Sequence, residues 1–85
     1  MRRGGASPAD VVWMEAALRL AMAAAVRGEV PVGALVVRDG KVISQAHNEM
    51  VHRKDPTAHA EFLAIQRALE AVGEDRLVDA TLYVT

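Results

Sequence analysis

Apolar residues recur at helical spacing in the first third of the chain. Between Pro8 and Arg27 they recur on one side of a helix, at Val11, Met14, Leu18, Ala21, Met22 and Ala25. Ser7 can cap a helix here, Pro8 suits its first position, and Gly28 can end it. The pattern predicts an amphipathic helix that must pack its apolar side on another element.

A β-hairpin is predicted next. The run 30–37 is almost continuously apolar, which is typical of a central strand covered on both faces. The run 41–46 is more polar and suits an edge strand. Asp39 and Gly40 lie between the two runs, and this dipeptide favours a tight turn because glycine tolerates the positive φ of a type I′ turn.

A second helix is predicted after a polar loop at 48–56. Pro56 disfavours helical geometry at the residue before it, so the helix begins only after this position. Thr57 is the expected cap and Gly73 the expected end. The apolar side of this helix is predicted to comprise Phe62, Leu63, Ile65, Ala68, Leu69 and Val72.

A third strand is predicted at 79–85, which completes the order helix, strand, strand, helix, strand. The hairpin requires antiparallel pairing, and a connection through the second helix returns the third strand to the same sheet. The fold class expected is therefore α/β.

The composition allows one small domain with a thin core. The chain has 85 residues, of which 52% are hydrophobic but only 4% aromatic, and its net charge of -1 gives no bulk attraction to nucleic acid. Arg19 interrupts the longest apolar stretch, and no signal-peptide pattern is present, so we expect a cytoplasmic protein with no membrane span. The absence of cysteine excludes disulfides and thiolate metal ligands from this chain.

The strongest chemical signal lies in Pro56-Thr57-Ala58-His59-Ala60-Glu61. A histidine followed two residues later by a glutamate is typical of zinc-dependent nucleobase deaminases, in which the histidine binds zinc and the glutamate is a general acid/base. Bound zinc lowers the pKa of water to about 7, which supplies hydroxide at neutral pH. The histidine–glutamate pair alone is weak evidence of catalysis, because helix dipoles favour a glutamate in the first turn of any helix.

The wider pattern resembles the N-terminal half of the tRNA-specific adenosine deaminases, within the cytidine and deoxycytidylate deaminase superfamily. The resemblance runs from about Trp13 to Thr85 and is densest in Glu29-Val30-Pro31-Val32-Gly33-Ala34, at Asn48, and in the segments 55–61 and 76–85. It implies a cytidine-deaminase-like α-β-β-α-β portion of a mixed sheet with helices packed on it.

The resemblance also implies a role for particular residues. His59 is then the zinc ligand and Glu61 the proton shuttle. Asn48 is expected to hydrogen-bond the base or ribose, with Val30 and Ala58 lining the base pocket. The reaction implied is hydrolytic deamination of adenosine to inosine at the wobble position of tRNA, with zinc as cofactor, tRNA or a nucleoside as substrate, and a homodimer as the assembly.

The resemblance breaks at the second half of the zinc site. Two cysteines of a Pro-Cys-x-x-Cys segment are implied, and this chain has none. A catalytic zinc uses three protein ligands, so we expect this 85-residue chain to bind zinc weakly and not to deaminate. We also expect a flexible tail at 1–8 and an incomplete deaminase domain at 9–85, with Leu82 and Val84 on a bare strand edge.

Alternatives stay open. One is a related deaminase of free cytosine or guanine nucleobases, nucleosides or nucleotides, although Asp55-Pro56-Thr57-Ala58 favours the tRNA class. Another is a non-catalytic interaction module that uses the exposed strand edge, in which Glu61 is replaceable. The last is an unstable truncated remnant, which predicts poor solubility and no cooperative unfolding.

Overall fold

A computed structural model describes residues 2–3, 7–73 and 77–85. Within them, the chain forms β1 (Arg2–Arg3), α1 (Pro8–Val26), β2 (Gly33–Arg38), β3 (Lys41–His47), α2 (Met50–Arg53), α3 (Ala60–Val72) and β4 (Thr81–Val84). The strands make one sheet in the order β1-β4-β2-β3, in which β1 is parallel to β4 and the other pairs are antiparallel. The predicted α/β fold is confirmed.

The central strand β2 contributes to two apolar layers. Ala34 and Val36 pack in a cluster with residues of α3, and Leu35 and Val37 pack in a second cluster with residues of α1. Successive side chains of a strand point to opposite faces, so α1 and α3 cover the two faces of the sheet. This arrangement explains the apolar residues at 34–37, whereas 30–32 of the predicted strand precede β2, and Val30 there is exposed. The strand β3 lies at the edge as predicted.

The hairpin between β2 and β3 has the predicted two-residue turn. Arg38 pairs with Lys41 across it. Asp39 and Gly40 have φ values of 54° and 71°, both positive as a type I′ turn requires.

The start of α1 is held by its first residues and by β4. Ser7 accepts a hydrogen bond from the Asp10 N–H at 3.2 Å, and the Asp10 carboxylate accepts from the Ser7 N–H at 3.3 Å. This capping box confirms Ser7 as the cap. The buried Asp10 carboxylate also accepts a hydrogen bond from the Tyr83 hydroxyl, which ties the helix to β4.

The buried face of α1 differs from the predicted one. Four of the residues expected on its apolar side are exposed instead: Val11, Leu18, Met22 and Ala25. A Cβ at Gly33 of β2 would lie 2.1 Å from the Ala17 carbonyl oxygen, so the helix backbone approaches the strand directly. This closeness admits only small side chains, and Ala17, Ala21 and Ala24 therefore form the buried face. None of the helices in the described part of the chain has the length and apolar character needed to cross a membrane.

The helix α3 begins at Ala60, and Thr57 is not its cap. The N-cap is His59, without a side-chain hydrogen bond to the helix. The N–H and hydroxyl of Thr57 instead donate to the Asp55 carboxylate at 2.9 and 2.7 Å, because an aspartate side chain readily binds the backbone two residues on. Gly73 ends α3 with φ 68°, as predicted.

Another correction concerns Phe62, which was expected on the apolar side of the second helix. Its side chain is 58% exposed, whereas Leu63 and Ala68 of the same predicted set are buried. The buried positions Ala60, Leu63, Ala64 and Ala68 follow the helical pattern i, i+3, i+4 and i+8 and form the face of α3 that packs on the sheet. Phe62 falls outside that stripe.

The strand β4 has a partner on its outer side. The sequence predicts a bare edge, but Arg2 pairs with Thr81 and Arg3 with Leu82. Of the predicted tail at 1–8, residues 2–3 form β1, and Ser7 and Pro8 begin α1. Positions 1 and 4–6 of that tail, and Arg76 of the family-like segment, lie outside the described residues.

Candidate active site

The segment 48–60 is a closed loop between β3 and α3. We call the place where Asn48 and Glu49 meet Ala58 and Ala60 the neck of this loop. There, the side-chain oxygen of Asn48 accepts a hydrogen bond from the Ala60 N–H at 2.7 Å. Beside it, the Glu49 N–H donates to the Ala58 carbonyl at 3.0 Å. Since both bonds join the first residues of the loop to its last, they fix where the loop enters α3.

Asn48 lies next to the predicted catalytic pair, because its side chain binds Ala60, which stands between His59 and Glu61 in the sequence. The residue is 1% exposed. Its Oδ1 must face Ala60, since an N–H group only donates. No described group accepts a hydrogen bond from Nδ2, and no buried side-chain nitrogen or oxygen among the described residues lacks a partner. Nδ2 therefore has at most a marginal contact with solvent, in keeping with the 1% exposure of the residue, and has no described acceptor.

His59 and Glu61 present two reactive side chains at the start of α3. His59 is the exposed N-cap, and Glu61 is half-buried in the first turn. Among the described residues, none forms a hydrogen bond or ion pair with either side chain. Neither side chain is therefore occupied by an intramolecular contact within the described part of the chain.

The two predicted pocket residues lie in different surroundings. Val30 is 53% exposed in the loop between α1 and β2. This loop lies against the site, because the Val32 carbonyl accepts a hydrogen bond from the Asn48 N–H at 3.1 Å. Ala58 is 2% exposed, and its methyl group belongs to the apolar cluster beneath α3.

Glu29 is a buried acidic residue to which sequence reasoning assigned no role of its own. Its Oε1 accepts a hydrogen bond from the Val51 N–H at 3.0 Å, and its Oε2 accepts from the His52 N–H at 2.9 Å and from His52 Nδ1 at 2.6 Å. Burial raises the pKa of Glu29, but these hydrogen bonds outweigh it and lower the pKa from 4.5 to about 2. An acidic residue directly before an apolar strand was the available signal, because buried charges require partners.

Glu49 joins the loop to α3. Arg67 of α3 donates to Glu49 Oε2 at 2.9 Å and to the Gln45 carbonyl at 3.1 Å, while Arg53 donates to Glu49 Oε1 at 3.2 Å. Partial burial raises the pKa of Glu49, but the two arginines lower it overall. The loop is thus held by charged groups from α3 as well as by Glu29.

The described residues do not assemble a three-ligand zinc site. No group of three or more histidine, cysteine, aspartate or glutamate side chains suited to a metal lies among them, and the chain has no cysteine. His59 offers one exposed imidazole. Because catalytic zinc takes three protein ligands, the donors described here do not fit a complete site, and no chemical step is assigned to a metal.

The sequence matches a family and curated relatives over most of its length. A family model described as MafB19-like deaminase matches residues 9–85. The tRNA-specific adenosine deaminase of Aquifex aeolicus is 49% identical over 73 residues, which are 86% of this chain and 48% of the relative. That of Bacillus subtilis is 45% identical over 76 residues, which are 89% of this chain and 47% of the relative. This chain spans about half the length of these relatives.

Solved structures share the fold. One, from a study of A-to-I editing by tRNA:A34 deaminases at the wobble position of transfer RNA, has a TM-score of 0.84 and 48% identity, covering 88% of this chain and 58% of that one. The guanine deaminase of Bacillus subtilis has a TM-score of 0.83 and 36% identity, covering 86% of this chain and 47% of that one. These likenesses confirm the expected resemblance and fold class.

Proposed function

Because this chain belongs to the MafB19-like deaminase family, we propose that it takes part in the hydrolytic deamination of adenosine to inosine at the wobble position of tRNA. The observation that carries the proposal is the hydrogen bond from the Ala60 N–H to Asn48. It joins the Asn48 side chain to the turn that carries His59 and Glu61. The names of the tRNA-specific relatives support the choice of substrate.

The proposed chemistry replaces an amine on the base by the oxygen of water. Water adds to the carbon that bears the amine, and ammonia leaves. The Glu61 carboxylate takes a proton from the attacking water and delivers it to the ring nitrogen. It then takes the proton of the newly added hydroxyl group and delivers it to the departing amine. Nδ2 of Asn48 donates a hydrogen bond to the base or ribose. Since Oδ1 accepts from the Ala60 N–H, Nδ2 is the polar atom of this side chain that is left for the substrate.

The proposed pocket has an apolar side. The exposed Val30 side chain contacts the base, and the buried Ala58 supports the pocket from beneath. We propose a cytoplasmic location and a homodimer as the assembly.

We further propose that His59 is one of three zinc ligands and that cysteines absent from this chain are the other two. One neutral imidazole holds zinc too weakly to organise a site. The 85-residue chain alone is then inactive.

A chimeric enzyme tests the proposal. The matched 73 residues of the Aquifex aeolicus relative are replaced by those of this chain, and the chimera is incubated with tRNA. Inosine at the wobble position, measured by mass spectrometry of nuclease digests, is the expected product. Glu61→Gln should abolish it, while Gln66→Ala, an exposed change on the same helix, should not. A folded chimera that forms no inosine, or a Glu61→Gln chimera with full activity, would contradict the proposal.

A free-base deaminase is the second candidate, favoured by the structural likeness to a guanine deaminase at 36% identity. The same chimera, supplied with guanine or cytosine and assayed for ammonia, separates the two. Release of ammonia from free bases without inosine in tRNA would select this alternative. Sequencing the DNA after the Thr85 codon in three frames tests whether a Pro-Cys-x-x-Cys segment follows.

A further inference from the structure

The carboxylate of Glu29 binds the loop that carries Asn48, although it is distant from that loop in sequence. We propose that Glu29 is a positioning residue for the candidate active site, which holds the loop 48–60 in the geometry that sets Asn48 against the first turn of α3. The significance of this inference rests on the proposed function. The contacts of Glu29 are described by the structure independently of any substrate.

Glu29 is itself held in place. Its N–H donates to the Ala24 carbonyl at 3.0 Å, so its backbone continues the end of α1. Its side chain is fully buried in the pair with His52. A fixed carboxylate therefore meets three donors from two consecutive residues, the N–H groups of Val51 and His52 and the ring Nδ1 of His52.

The contact is transmitted to the neck of the loop through backbone hydrogen bonds. Asp55 donates to the Met50 carbonyl at 3.0 Å, which closes the loop around α2. Ala58 donates to the Asp55 carbonyl at 3.1 Å, and its own carbonyl accepts from Glu49. These bonds connect the part of the loop that Glu29 holds to the neck.

The loop between α1 and β2 meets this segment at two points. Glu29 binds Val51 and His52, and the Val32 carbonyl binds the Asn48 N–H at 3.1 Å. Val30 lies between these attachments, with its side chain exposed. Glu29 therefore fixes the proposed apolar contact and the amide donor relative to one another.

A carboxylate suits this position better than its amide. All three groups that face it are donors, and a carboxylate is purely an acceptor, whereas a glutamine turns two further N–H groups toward them. Hydrogen bonds to an ionised acceptor are also stronger than neutral ones. Glu29→Gln should loosen the loop while keeping the shape of the side chain.

Amide hydrogen exchange, followed by NMR on the whole chain, separates positioning from general stability. In Glu29→Gln we expect exchange at Ala60 and Glu49 to accelerate about tenfold or more, since a lost charged hydrogen bond has effects of this order. Exchange in the central strand, at Leu35 and Val36, should change less than about threefold. The matched control Glu15→Gln removes an exposed carboxylate from α1 and should accelerate neither set.

Two results would overturn the proposal. The first is a uniform acceleration at Leu35, Val36 and Ala60, which would show that Glu29 acts only on global stability. The second is unchanged exchange at Ala60. If Glu29→Gln does not fold, the unaltered chain decides: the Val51 and His52 amides should be protected as strongly as Ala60, and fast exchange there refutes the assignment. No substrate or metal is required, so failure here is distinct from failure of the proposed deamination.

Discussion

The side-chain oxygen of Asn48 and the N–H of Ala60 lie 2.7 Å apart and close the loop that holds the candidate site. Asn48→Ala should lower the free energy of unfolding by about 1–3 kcal/mol, because it leaves a buried N–H without an acceptor. Asn48→Asp keeps an acceptor and should cost less. Urea unfolding followed by circular dichroism measures both, with the exposed Gln66→Ala as control. Equal stability of Asn48→Ala and the control would contradict the assignment.

Acid should remove the contribution of Glu29. A carboxylate whose folded pKa is depressed stabilises the fold above its ordinary pKa, and this contribution is lost as pH falls through the folded value. The difference in local opening free energy of the loop 48–60 between the unaltered chain and Glu29→Gln should therefore shrink as pH falls from 4.5 to about 2. Amide hydrogen exchange at Ala60, compared between the two proteins at a series of pH values, measures this difference. A difference that stays constant over this range would show that the Glu29 carboxylate is not held by its donors.

Replacing Arg67 should raise the pKa of Glu49. Burial already raises this pKa, and the Arg67 hydrogen bond is the largest of the influences that lower it, followed by that of Arg53. Arg67→Met should move the pKa toward 4.5, and Arg53→Met should move it less. Carbon-13 NMR of the Glu49 carboxyl group across pH measures the shift. An Arg67→Met protein with an unchanged Glu49 pKa would exclude the contact.

Gly33 should tolerate no side chain. A Cβ there would lie 2.1 Å from the Ala17 carbonyl oxygen and 2.7 Å from the Ala21 nitrogen, and both are backbone atoms that no rotamer change can move. Gly33→Ala should lower the free energy of unfolding by about 1–3 kcal/mol or more, as overpacking does. Gly28→Asn is the matched control, because a Cβ at Gly28 meets nothing within 4 Å and asparagine tolerates positive φ. A melting temperature of Gly33→Ala at or above that of Gly28→Asn would refute the close approach of α1 to Gly33.

Zinc should bind the isolated chain weakly. Isothermal titration calorimetry with zinc chloride near neutral pH should show no saturating one-to-one binding at micromolar concentration, because a lone imidazole lacks the other ligands of a catalytic site. His59→Ala serves as the reference titration. Tight one-to-one binding that disappears in His59→Ala would reveal ligands not recognised in the sequence.

The elements that the sequence predicted correctly depend on local signals. The turn at Asp39-Gly40 is specified by two adjacent residues, and the central strand by a continuous apolar run. The helix α2, by contrast, has only four residues, too few for any periodicity to appear. Its N–H groups find their acceptor at Glu29, more than twenty positions earlier.

The buried face of α1 was mispredicted for a related reason. Large apolar residues such as Leu18 and Met22 mark the core side of most helices, but here the strand position Gly33 selects alanines for contact. That selection is a tertiary effect and leaves no periodic trace in the helix itself. The same limit applies at the candidate site, where the resemblance pointed to Asn48 but its bond to Ala60 became evident only from the fold.

The pairing of β1 with β4 has a consequence for how the chain folds. Arg2 pairs with Thr81 and Arg3 with Leu82, so this ladder joins segments separated by almost the whole described chain. A ribosome releases Arg2 and Arg3 long before Thr81 is made, and closing so long a loop costs entropy that two residue pairs repay only poorly. The hairpin of β2 and β3 joins adjacent segments, so it can form as soon as both strands have been synthesised. Arg2 and Arg3 are therefore synthesised well before Thr81 and Leu82 but are among the last residues to join the sheet.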